Sequence, residues 1–252
     1  MIYFFDVNVQ DALDRLLIDP TVLAFDFDGT LAPIVDHRDD AVMRRKTADL
    51  FVQVCDRYAS AVVTGRSIDD VIHRLGSAKV WKIIGNHGLE TGTSISERAP
   101  EIAEAATYLR QVLKNEPGIE LEDKGLSLAI HYRGAPQPSR ALDVICSAIG
   151  NLPPGMRRID GKAVINLVPQ YAPDKGDAIL ALRQDAGATN VLYVGDDITD
   201  EDVFELRQPD WLMTVRVGSC QNSSARFFLR DQTEIDHLLE RLLSRPVDHS
   251  HS

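Results

Sequence analysis

A short apolar run that ends in two aspartates constrains the fold of this chain more than any other feature. Residues 21–25 (Thr-Val-Leu-Ala-Phe) lead directly into Asp26-Phe27-Asp28-Gly29-Thr30. An apolar run this short, ended by an Asp-Gly turn signal, predicts a buried parallel strand followed by a tight loop. Alternate residues of a strand share a face, so both carboxylates can reach one small volume.

Two carboxylates in one small volume repel each other unless a cation lies between them. Mg2+ prefers carboxylate and carbonyl oxygens as ligands, so the pair predicts a magnesium site with a spare carboxylate beside it. The alternative is an ordinary turn that carries two solvated aspartates, because Asp-Gly turns are common.

Apolar runs of the same kind recur in the first and last thirds of the chain and alternate with amphipathic segments. The predicted strands lie at 22–27, 59–63, 80–84, 191–194 and 212–217, and the predicted helices at 44–58, 68–75, 176–183 and 202–206. Strands that are apolar on both faces and alternate with helices indicate a parallel sheet flanked by helices. The predicted fold class is therefore α/β, with a Rossmann-like parallel sheet as its core.

The middle of the chain breaks this alternation. The predicted elements there are helices at 101–114 and 141–149, a half-buried strand at 126–130, and a hairpin of 157–159 and 163–168 around Asp160-Gly161. Their order indicates an antiparallel sheet with helices on one face. We therefore expect an inserted α+β domain at 89–171, with 1–88 and 172–252 together forming the core.

Charge and composition exclude some classes of partner. With a formal net charge of −11 the chain has little to neutralise a nucleic-acid backbone, although a bound metal and a few cations would still admit a small anionic substrate. No apolar run is long enough to span a bilayer, and residues 1–10 lack a secretory signal, so we expect no membrane partner. The three scattered cysteines are typical of reduced thiols and predict a cytoplasmic protein. The sequence contains no indication of an oligomeric state.

Further polar segments follow the predicted core strands, at the sheet edge where open α/β folds bind ligands. Thr64 ends a strand just before a helix, where its hydroxyl either caps the helix or holds phosphoryl oxygens. Lys175 opens a helix, where its charge opposes the macrodipole. That cost suggests that Lys175 faces an anion, although a solvated lysine is the common alternative.

The last polar segment, residues 195–202 (Gly-Asp-Asp-Ile-Thr-Asp-Glu-Asp), carries five acids in seven positions. Their repulsion would be relieved by a cation, and the alternative is a solvated, acidic helix start favoured by the dipole.

Taken together, the order Asp-x-Asp-Gly-Thr, then Thr, then Lys, then Gly-Asp-Asp-x-x-Asp resembles the haloacid dehalogenase superfamily of phosphohydrolases, over nearly the whole chain. In that superfamily an insertion between the second and third motifs forms a cap. The segments Thr64-Gly65-Arg66, Gly85-Asn86-His87-Gly88-Leu89-Glu90, His131-Tyr132-Arg133 and 195–202 narrow the resemblance to the trehalose-6-phosphate phosphatase family. It implies a Mg2+-dependent enzyme of trehalose biosynthesis that hydrolyses this sugar phosphate through an aspartyl-phosphate intermediate.

The resemblance also implies a role for each polar residue. Asp26 would be the nucleophile, Asp28 the general acid and base, and Thr64 and Lys175 would bind phosphoryl oxygens. The residues implied for Mg2+ are Asp26, Asp28 through its backbone carbonyl, and Asp196, with support from Asp197 and Asp200. The residues implied for the sugar are Arg66, Glu90, Lys124, His131, Arg133, Lys162 and Asn166. Hinges for cap closure are expected at 86–88 and 170–173.

Two positions depart from the family pattern. The family usually reads Gly-Lys-x-Val-x-Glu-x-Arg-Pro before the catalytic lysine, and this chain has Asn166 in place of the acid and Val168 in place of the arginine. In the family the acid contacts the sugar, whereas asparagine has no charge and a shorter reach. A phosphatase for another disaccharide or glycosyl phosphate is therefore an alternative, as are a sugar phosphomutase and a non-catalytic sugar-phosphate sensor.

Overall fold

The structure, a computed structural model, describes residues 1–91, 100–206 and 210–245. The strands are β1 (Ile2–Tyr3), β2 (Thr21–Phe25), β3 (Ser60–Val63), β4 (Lys82–Ile84), β5 (Glu120–Asp123), β6 (Leu128–His131), β7 (Met156–Gly161), β8 (Val164–Pro169), β9 (Asn190–Gly195), β10 (Leu212–Val217) and β11 (Phe227–Leu229). The α-helices are α1 (Val7–Leu16), α2 (Arg45–Arg57), α3 (Ile68–Arg74), α4 (Pro100–Leu113), α5 (Pro138–Gly150), α6 (Lys175–Asp185), α7 (Glu201–Phe204) and α8 (Ile235–Leu243).

A parallel sheet forms the core of the molecule. Seven strands are arranged in the order β1-β11-β10-β9-β2-β3-β4, and every neighbouring pair is parallel. Successive residues of β2 contribute to apolar clusters on opposite faces of the sheet, with α1, α2, α3 and α8 on one face and α6 and α7 on the other. The prediction of an α/β fold with a parallel sheet is confirmed.

The register of the central strands decides which loops meet. Phe25 at the end of β2 is paired with Val194 of β9 on one side and with Val62 of β3 on the other. Asp26, Thr64 and Asp196 therefore leave the sheet at the same edge, although they come from distant parts of the sequence. Convergence at the carboxyl edge follows directly from parallel pairing.

A second, antiparallel sheet lies within the predicted insertion. Its strand order is β5-β6-β8-β7, and α4 and α5 cover one face with an apolar cluster that includes Ile130 and Ile165. Because side chains alternate along a strand, the opposite face carries Glu122, His131 and Asn166. This polar face of the cap lies over the carboxyl edge of the core sheet. The division of the chain at 89 and 171 itself remains a prediction.

The helices of the described chain are short. The longest, α4, has 14 residues, and none has both the length and the apolar character that a membrane-spanning helix needs.

Candidate active site

A cleft of about 570 Å³ separates the carboxyl edge of the core sheet from the polar face of the cap. This size lies within the range of roughly 300–1,000 Å³ that is typical of small-molecule sites. Most of the predicted site residues line the cleft: Asp26, Asp28, Arg66, Lys124, His131, Arg133, Lys162, Asn166, Lys175, Asp196 and Asp197. Thr64, Glu90 and Asp200 lie behind its walls.

Lys175 and two aspartates form a buried ionic cluster at the floor of the cleft. A capping box of Asp174 and Asp177 starts α6 at Lys175, whose side chain is almost fully buried. Its Nζ donates to Asp26 Oδ1 at 3.1 Å and to Asp200 Oδ1 at 2.7 Å. The lysine therefore does face anionic groups. Burial lowers the pKa of Lys175, but the charges of Asp200 and Asp26 outweigh burial and raise it, so the ammonium stays charged.

Asp26 is the aspartate of this cluster that lines the cleft. It is 4% exposed, and burial raises the pKa of its carboxyl well above the usual range while the Lys175 charge opposes that rise. Its neighbour Asp28 is far more open to solvent, with 37% of its side chain exposed.

Asp200 braces the loop that follows β9. Its two oxygens accept four hydrogen bonds, from Lys175, from the Tyr193 hydroxyl at 2.7 Å, and from the backbone N–H groups of Asp196 and Asp197 at 2.7 and 2.8 Å. Burial raises the pKa of Asp200, but Lys175 and these hydrogen bonds outweigh it, and the net shift is downward. A carboxylate with all its lone pairs used supports a metal site by holding the loop rather than by direct contact.

Asp196 has an oxygen that no protein group satisfies. Its Oδ2 accepts from Lys162 Nζ at 2.6 Å, whereas its buried Oδ1 has no hydrogen-bond partner in the described chain. Burial and the Asp200 charge raise the pKa of Asp196 to about 6, against the effect of Lys162. An unsatisfied buried carboxylate oxygen is costly and indicates a missing cation or donor.

The surroundings of Asp196 fit a divalent cation. Carboxylate oxygens of Asp26, Asp196 and Asp200 lie within 4.8 Å of one another. Gly29 has a φ of +81°, and a β carbon there would lie 2.2 Å from Asp196 Oδ2, so only glycine allows the two loops to approach this closely. A buried, oxygen-only donor set is the kind that Mg2+ prefers.

Arg66 holds Asp28 rather than projecting freely into the cleft. Its Nε and Nη2 donate to the two oxygens of Asp28 at 2.7 and 2.8 Å, and its Nη1 donates to Asp70 at 2.6 Å. A bidentate contact of this kind fixes the direction of the carboxylate. The residue predicted to bind sugar therefore also orients the residue predicted to be the general acid.

The loop after β3 places backbone atoms at the cleft. Thr64 is fully buried, and its hydroxyl accepts from the backbone N–H of Arg66 at 3.2 Å, as expected of a residue that shapes the turn. Gly65, one residue on, lines the cleft instead.

Glu90 is occupied within the core–cap junction. Its Oε2 accepts from the backbone N–H of Ile68 and from the Asn86 amide, both at 2.9 Å. Asn86 in turn accepts from Ser127 Oγ of the cap at 2.9 Å. These contacts tie the expected hinge at 86–88 to both domains.

Several side chains hold the cap against the core. Lys124 Nζ donates to the carbonyl of Gly65 at 2.8 Å, and Arg133 donates to the carbonyl of Val35 at 2.8 Å. Glu122 of the cap pairs with Arg38 of the core and, at 2.9 Å, with His131. Lys124, Arg133 and His131 were predicted to bind sugar, and the structure places all three at the rim where the two domains meet.

The stability that the contacts of Glu122 contribute should depend on pH, and this dependence can be tested. Burial raises the pKa of Glu122, but the His131 hydrogen bond and the Lys124 and Arg38 charges outweigh it and lower the pKa to about 2. A lowered pKa contributes stability that is present above about pH 4.5 and is lost as the pH falls towards about 2. Glu122→Gln should therefore lower the free energy of unfolding by about 1–2 kcal/mol at pH 7.

Urea unfolding followed by circular dichroism at pH 7, 4.5 and 3.5 measures this difference. The deficit of Glu122→Gln should shrink at each lower pH, and Glu104→Gln, at an exposed position on α4, should show no deficit. A deficit that is constant with pH would contradict the ionic origin.

Sequence reasoning missed residues whose partners lie far along the chain. Arg38 and Glu122 meet across the domains, and Arg216 of β10 donates to the backbone carbonyls of Asp196 and Asp197 at 2.6 and 3.3 Å. His87 was noted only as part of a motif, although it lines the cleft. Its position before a glycine at a strand end was the available signal.

The fold and the site together define a capped α/β protein of the haloacid dehalogenase type. A family model described as trehalose-phosphatase matches residues 24–233, and the chain belongs to that family. The resemblance inferred from the motifs is thereby confirmed.

Individual relatives agree with this assignment. A trehalose-phosphate phosphatase of Mycobacterium marinum is 33% identical over 212 residues, which cover 78% of this chain and 54% of the relative. A probable trehalose-phosphate phosphatase of Oryza sativa subsp. japonica is 30% identical over 241 residues, which cover 88% of this chain and 65% of the relative. The chain thus spans about half to two thirds of the length of these curated relatives.

A solved structure supports the fold. The C-terminal domain of the C. albicans trehalose-6-phosphate phosphatase superposes with a TM-score of 0.77 at 19% identity, covering 92% of this chain and 94% of that domain.

Proposed function

We propose that this protein is a Mg2+-dependent phosphatase that hydrolyses trehalose 6-phosphate to trehalose and phosphate through an aspartyl-phosphate intermediate. The observation that carries the proposal is the buried Asp26, which faces a cleft closed by a polar cap and lies against the Lys175 ammonium at 3.1 Å. The names of the M. marinum and rice relatives support the choice of substrate.

In the first step an oxygen of Asp26 attacks phosphorus, and the bond from phosphorus to the sugar oxygen breaks. Asp28 gives a proton to the departing sugar oxygen, which would otherwise leave as a poor alkoxide leaving group. In the second step water attacks the phosphorus of the aspartyl phosphate, and Asp28 takes a proton from that water. The bond between phosphorus and the Asp26 oxygen breaks, which releases inorganic phosphate and restores the Asp26 carboxylate. Arg66 orients Asp28 for both transfers through its bidentate contact.

Lys175 keeps Asp26 in place and presents positive charge to the phosphoryl group. Asp26, Asp196 and the backbone carbonyl of Asp28 would hold Mg2+, and the unsatisfied Oδ1 of Asp196 supports that assignment. When bound, Mg2+ neutralises charge on the phosphoryl oxygens and on the attacking carboxylate.

The cap supplies recognition of an uncharged sugar and exclusion of bulk water. Lys124, His131, Arg133, Lys162 and Asn166 are the proposed contacts. Asn166 and Val168 favour one alternative, a phosphatase for another disaccharide phosphate, because Val168 is buried and offers no hydrogen bond. The cysteines at 55, 146 and 220 are free thiols, which supports the prediction of a cytoplasmic location.

A phosphate-release screen with Mg2+ tests the proposal. Trehalose 6-phosphate, sucrose 6-phosphate and glucose 6-phosphate are compared at equal concentration, with and without a chelator. We expect release from trehalose 6-phosphate to exceed the others by about tenfold or more, to stop with chelator and to return with excess Mg2+. Similar rates of phosphate release from all three compounds would contradict trehalose 6-phosphate as the substrate. Transfer of the phosphoryl group to a second sugar would indicate a phosphomutase. Binding of the sugar phosphate without phosphate release would indicate a sensor.

A further inference from the structure

His87 is a buried imidazole at the cleft without a satisfied ring nitrogen. It is 8% exposed, and neither Nδ1 nor Nε2 has a hydrogen-bond partner among the described residues. Each unmade hydrogen bond at a buried polar atom costs about 1–3 kcal/mol. In native folds such a group finds its partner in an ordered water, an ion or a ligand, and His87 lines the cleft, where a ligand can reach it.

The backbone places this ring at some conformational cost. His87 has φ of 58° and ψ of 25°, and its neighbour Asn86 has φ of 50°, so two consecutive residues other than glycine are left-handed. Backbone hydrogen bonds from His87 to Thr64 at 3.0 Å and from Asn86 to Arg66 at 2.8 Å hold this conformation. The loop that follows β3 therefore maintains this strained backbone conformation.

Gly65, which lies next to His87 in space, makes room for the ring. A β carbon on Gly65 would lie 2.4 Å from His87 Cε1, so the imidazole packs directly on the Gly65 backbone. From the cap side, Asn166 is 5% exposed, lines the same cleft, and lies near enough to act on the imidazole through its amide. The ring and the amide come from different domains and face one space.

The charge state of His87 restricts what it can bind. Burial lowers its pKa well below the usual value, and the charges of Lys124, Lys175 and Arg157 act in the same direction, whereas the nearby Asn166 amide acts to raise it and is outweighed. A neutral imidazole offers one donor and one acceptor, and the Asn166 amide offers both kinds of atom. A hydroxyl also donates and accepts, whereas phosphoryl oxygens only accept and have Lys175 beside them.

We propose that His87 of the core and Asn166 of the cap together hydrogen-bond one hydroxyl of the phosphorylated sugar, and that His87 is a specificity-determining residue. This inference rests on the proposed function and adds a residue and an atom type to it. A hydroxyl held between the two domains links sugar recognition to closure of the cap over the reacting phosphate.

His87→Asn tests the proposal, because asparagine tolerates the left-handed backbone and is shorter than histidine. We expect kcat/KM for trehalose 6-phosphate to fall about 10- to 100-fold, since a site built for a hydroxyl loses its partner. Hydrolysis of p-nitrophenyl phosphate, which has no sugar, should stay within twofold of wild type. His73→Asn, at an exposed position on α3, is the matched control for both substrates.

The pair should also act as a unit. Asn166→Ala should cause a comparable loss on trehalose 6-phosphate, and the double variant should lose little more than either single variant. Equal losses of His87→Asn on both substrates would overturn the proposal, because they indicate a phosphate contact or a packing role. Unchanged kinetics on both would overturn it as well.

A binding measurement separates this inference from the proposed function. Trehalose, added to wild-type protein labelled with 15N at histidine, should shift the ring signals that are missing in His87→Asn. Absence of a shift at saturating trehalose overturns the His87 assignment even when the wild type releases phosphate from trehalose 6-phosphate. A shift without phosphate release from any sugar phosphate supports the His87 assignment while the proposed function fails.

Discussion

Asp26→Asn is expected to reduce phosphate release by about 10⁴-fold or more, because removing a nucleophile removes the covalent route altogether. An amide oxygen cannot form the acyl phosphate. The change leaves the backbone, Asp196, Asp200 and the cap as they are. Asparagine has nearly the same shape as aspartate and can still accept the hydrogen bond from Lys175. The fold should therefore survive the change.

Phosphate release from trehalose 6-phosphate and thermal unfolding by circular dichroism are measured together. Asp49→Asn, at an exposed position on α2 whose nearest ion pair is long at 4.0 Å, is the matched control and should keep full activity. Turnover by Asp26→Asn within tenfold of wild type would reject Asp26 as the nucleophile. Loss of activity together with loss of the folded signal would assign it a structural role instead.

Lys175→Met is expected to lower the free energy of unfolding by about 3–5 kcal/mol, because it leaves two buried carboxylates without their shared cation. The side chain of Lys175 is only 2% exposed, and those of Asp26 and Asp200 are 6% and 0% exposed. Methionine fills a similar volume, so the loss reports the charge rather than a cavity. Phosphate release should be lost as well, since Lys175 lies against the proposed nucleophile.

The pH dependence of the stability lost in Lys175→Met follows from the directions of the pKa shifts in the buried cluster. The raised pKa of Lys175 contributes stability that is fully present below its ordinary pKa, about 10.4, and is lost only as the pH rises beyond it. The lowered pKa of Asp200 contributes stability that is present above its ordinary value, about 3.9, and is lost at lower pH. Without Lys175 the pKa of Asp26, which burial already raises, and the pKa of Asp200 should both rise further, so the deficit of Lys175→Met should grow as the pH rises from about 6 to 9.

Urea denaturation at pH 6, 7.5 and 9 measures the deficit. Lys114→Met, at an exposed position after α4, should change the free energy of unfolding by less than about 0.5 kcal/mol. A deficit below about 1 kcal/mol for Lys175→Met would show that the buried cluster contributes little. If Lys175→Met does not fold, Lys175→Gln, which keeps a hydrogen-bond donor, serves in the same measurement.

The core sheet was predictable because its strands are short, apolar on both faces and separated by helices. The predicted strand at 22–27 ends earlier, at Phe25, because Asp26 and Asp28 already belong to the loop. The predicted strand at 80–84 begins later, at Lys82. The strands β1 and β11, at one side of the sheet, have only two and three residues, which is too short for a period-2 pattern to be recognised.

In the cap, β5 was not predicted. Its sequence Glu-Leu-Glu-Asp contains one apolar residue, and it forms a strand because it pairs with β6. Pairing with a distant partner overrides local propensity in such cases.

The features of the candidate site also fall into those that the sequence predicts and those that it does not. Residues at strand ends, such as Asp26 and Asp196, were predictable because parallel pairing brings the carboxyl ends of neighbouring strands to one edge. Contacts made by long side chains were not, because no local pattern indicates that Arg66 reaches Asp28 or that Glu90 turns back to Ile68.

In the acidic segment 196–202, part of the expected charge repulsion is relieved by cations of the protein itself. Its repulsion was expected to need a cation, and the described chain supplies three of its own. Lys162 pairs with Asp196, Lys175 with Asp200, and Arg216 with Glu201. Among the described residues of this segment, Asp196 Oδ1 is the one fully buried side-chain atom without a hydrogen-bond partner, and a carboxylate oxygen of Asp196 lies within 4.8 Å of one of Asp26.

Crystals grown with Mn2+ in place of Mg2+ test most directly whether Asp26 and Asp196 share one divalent ion. Anomalous diffraction locates Mn2+ independently of the protein atoms. We predict one strong peak at the floor of the cleft, at about 2.0–2.3 Å from carboxylate oxygens of both Asp26 and Asp196, as expected for a small divalent ion with oxygen ligands. A peak elsewhere, or none between these two carboxylates at saturating Mn2+, would contradict the shared ion.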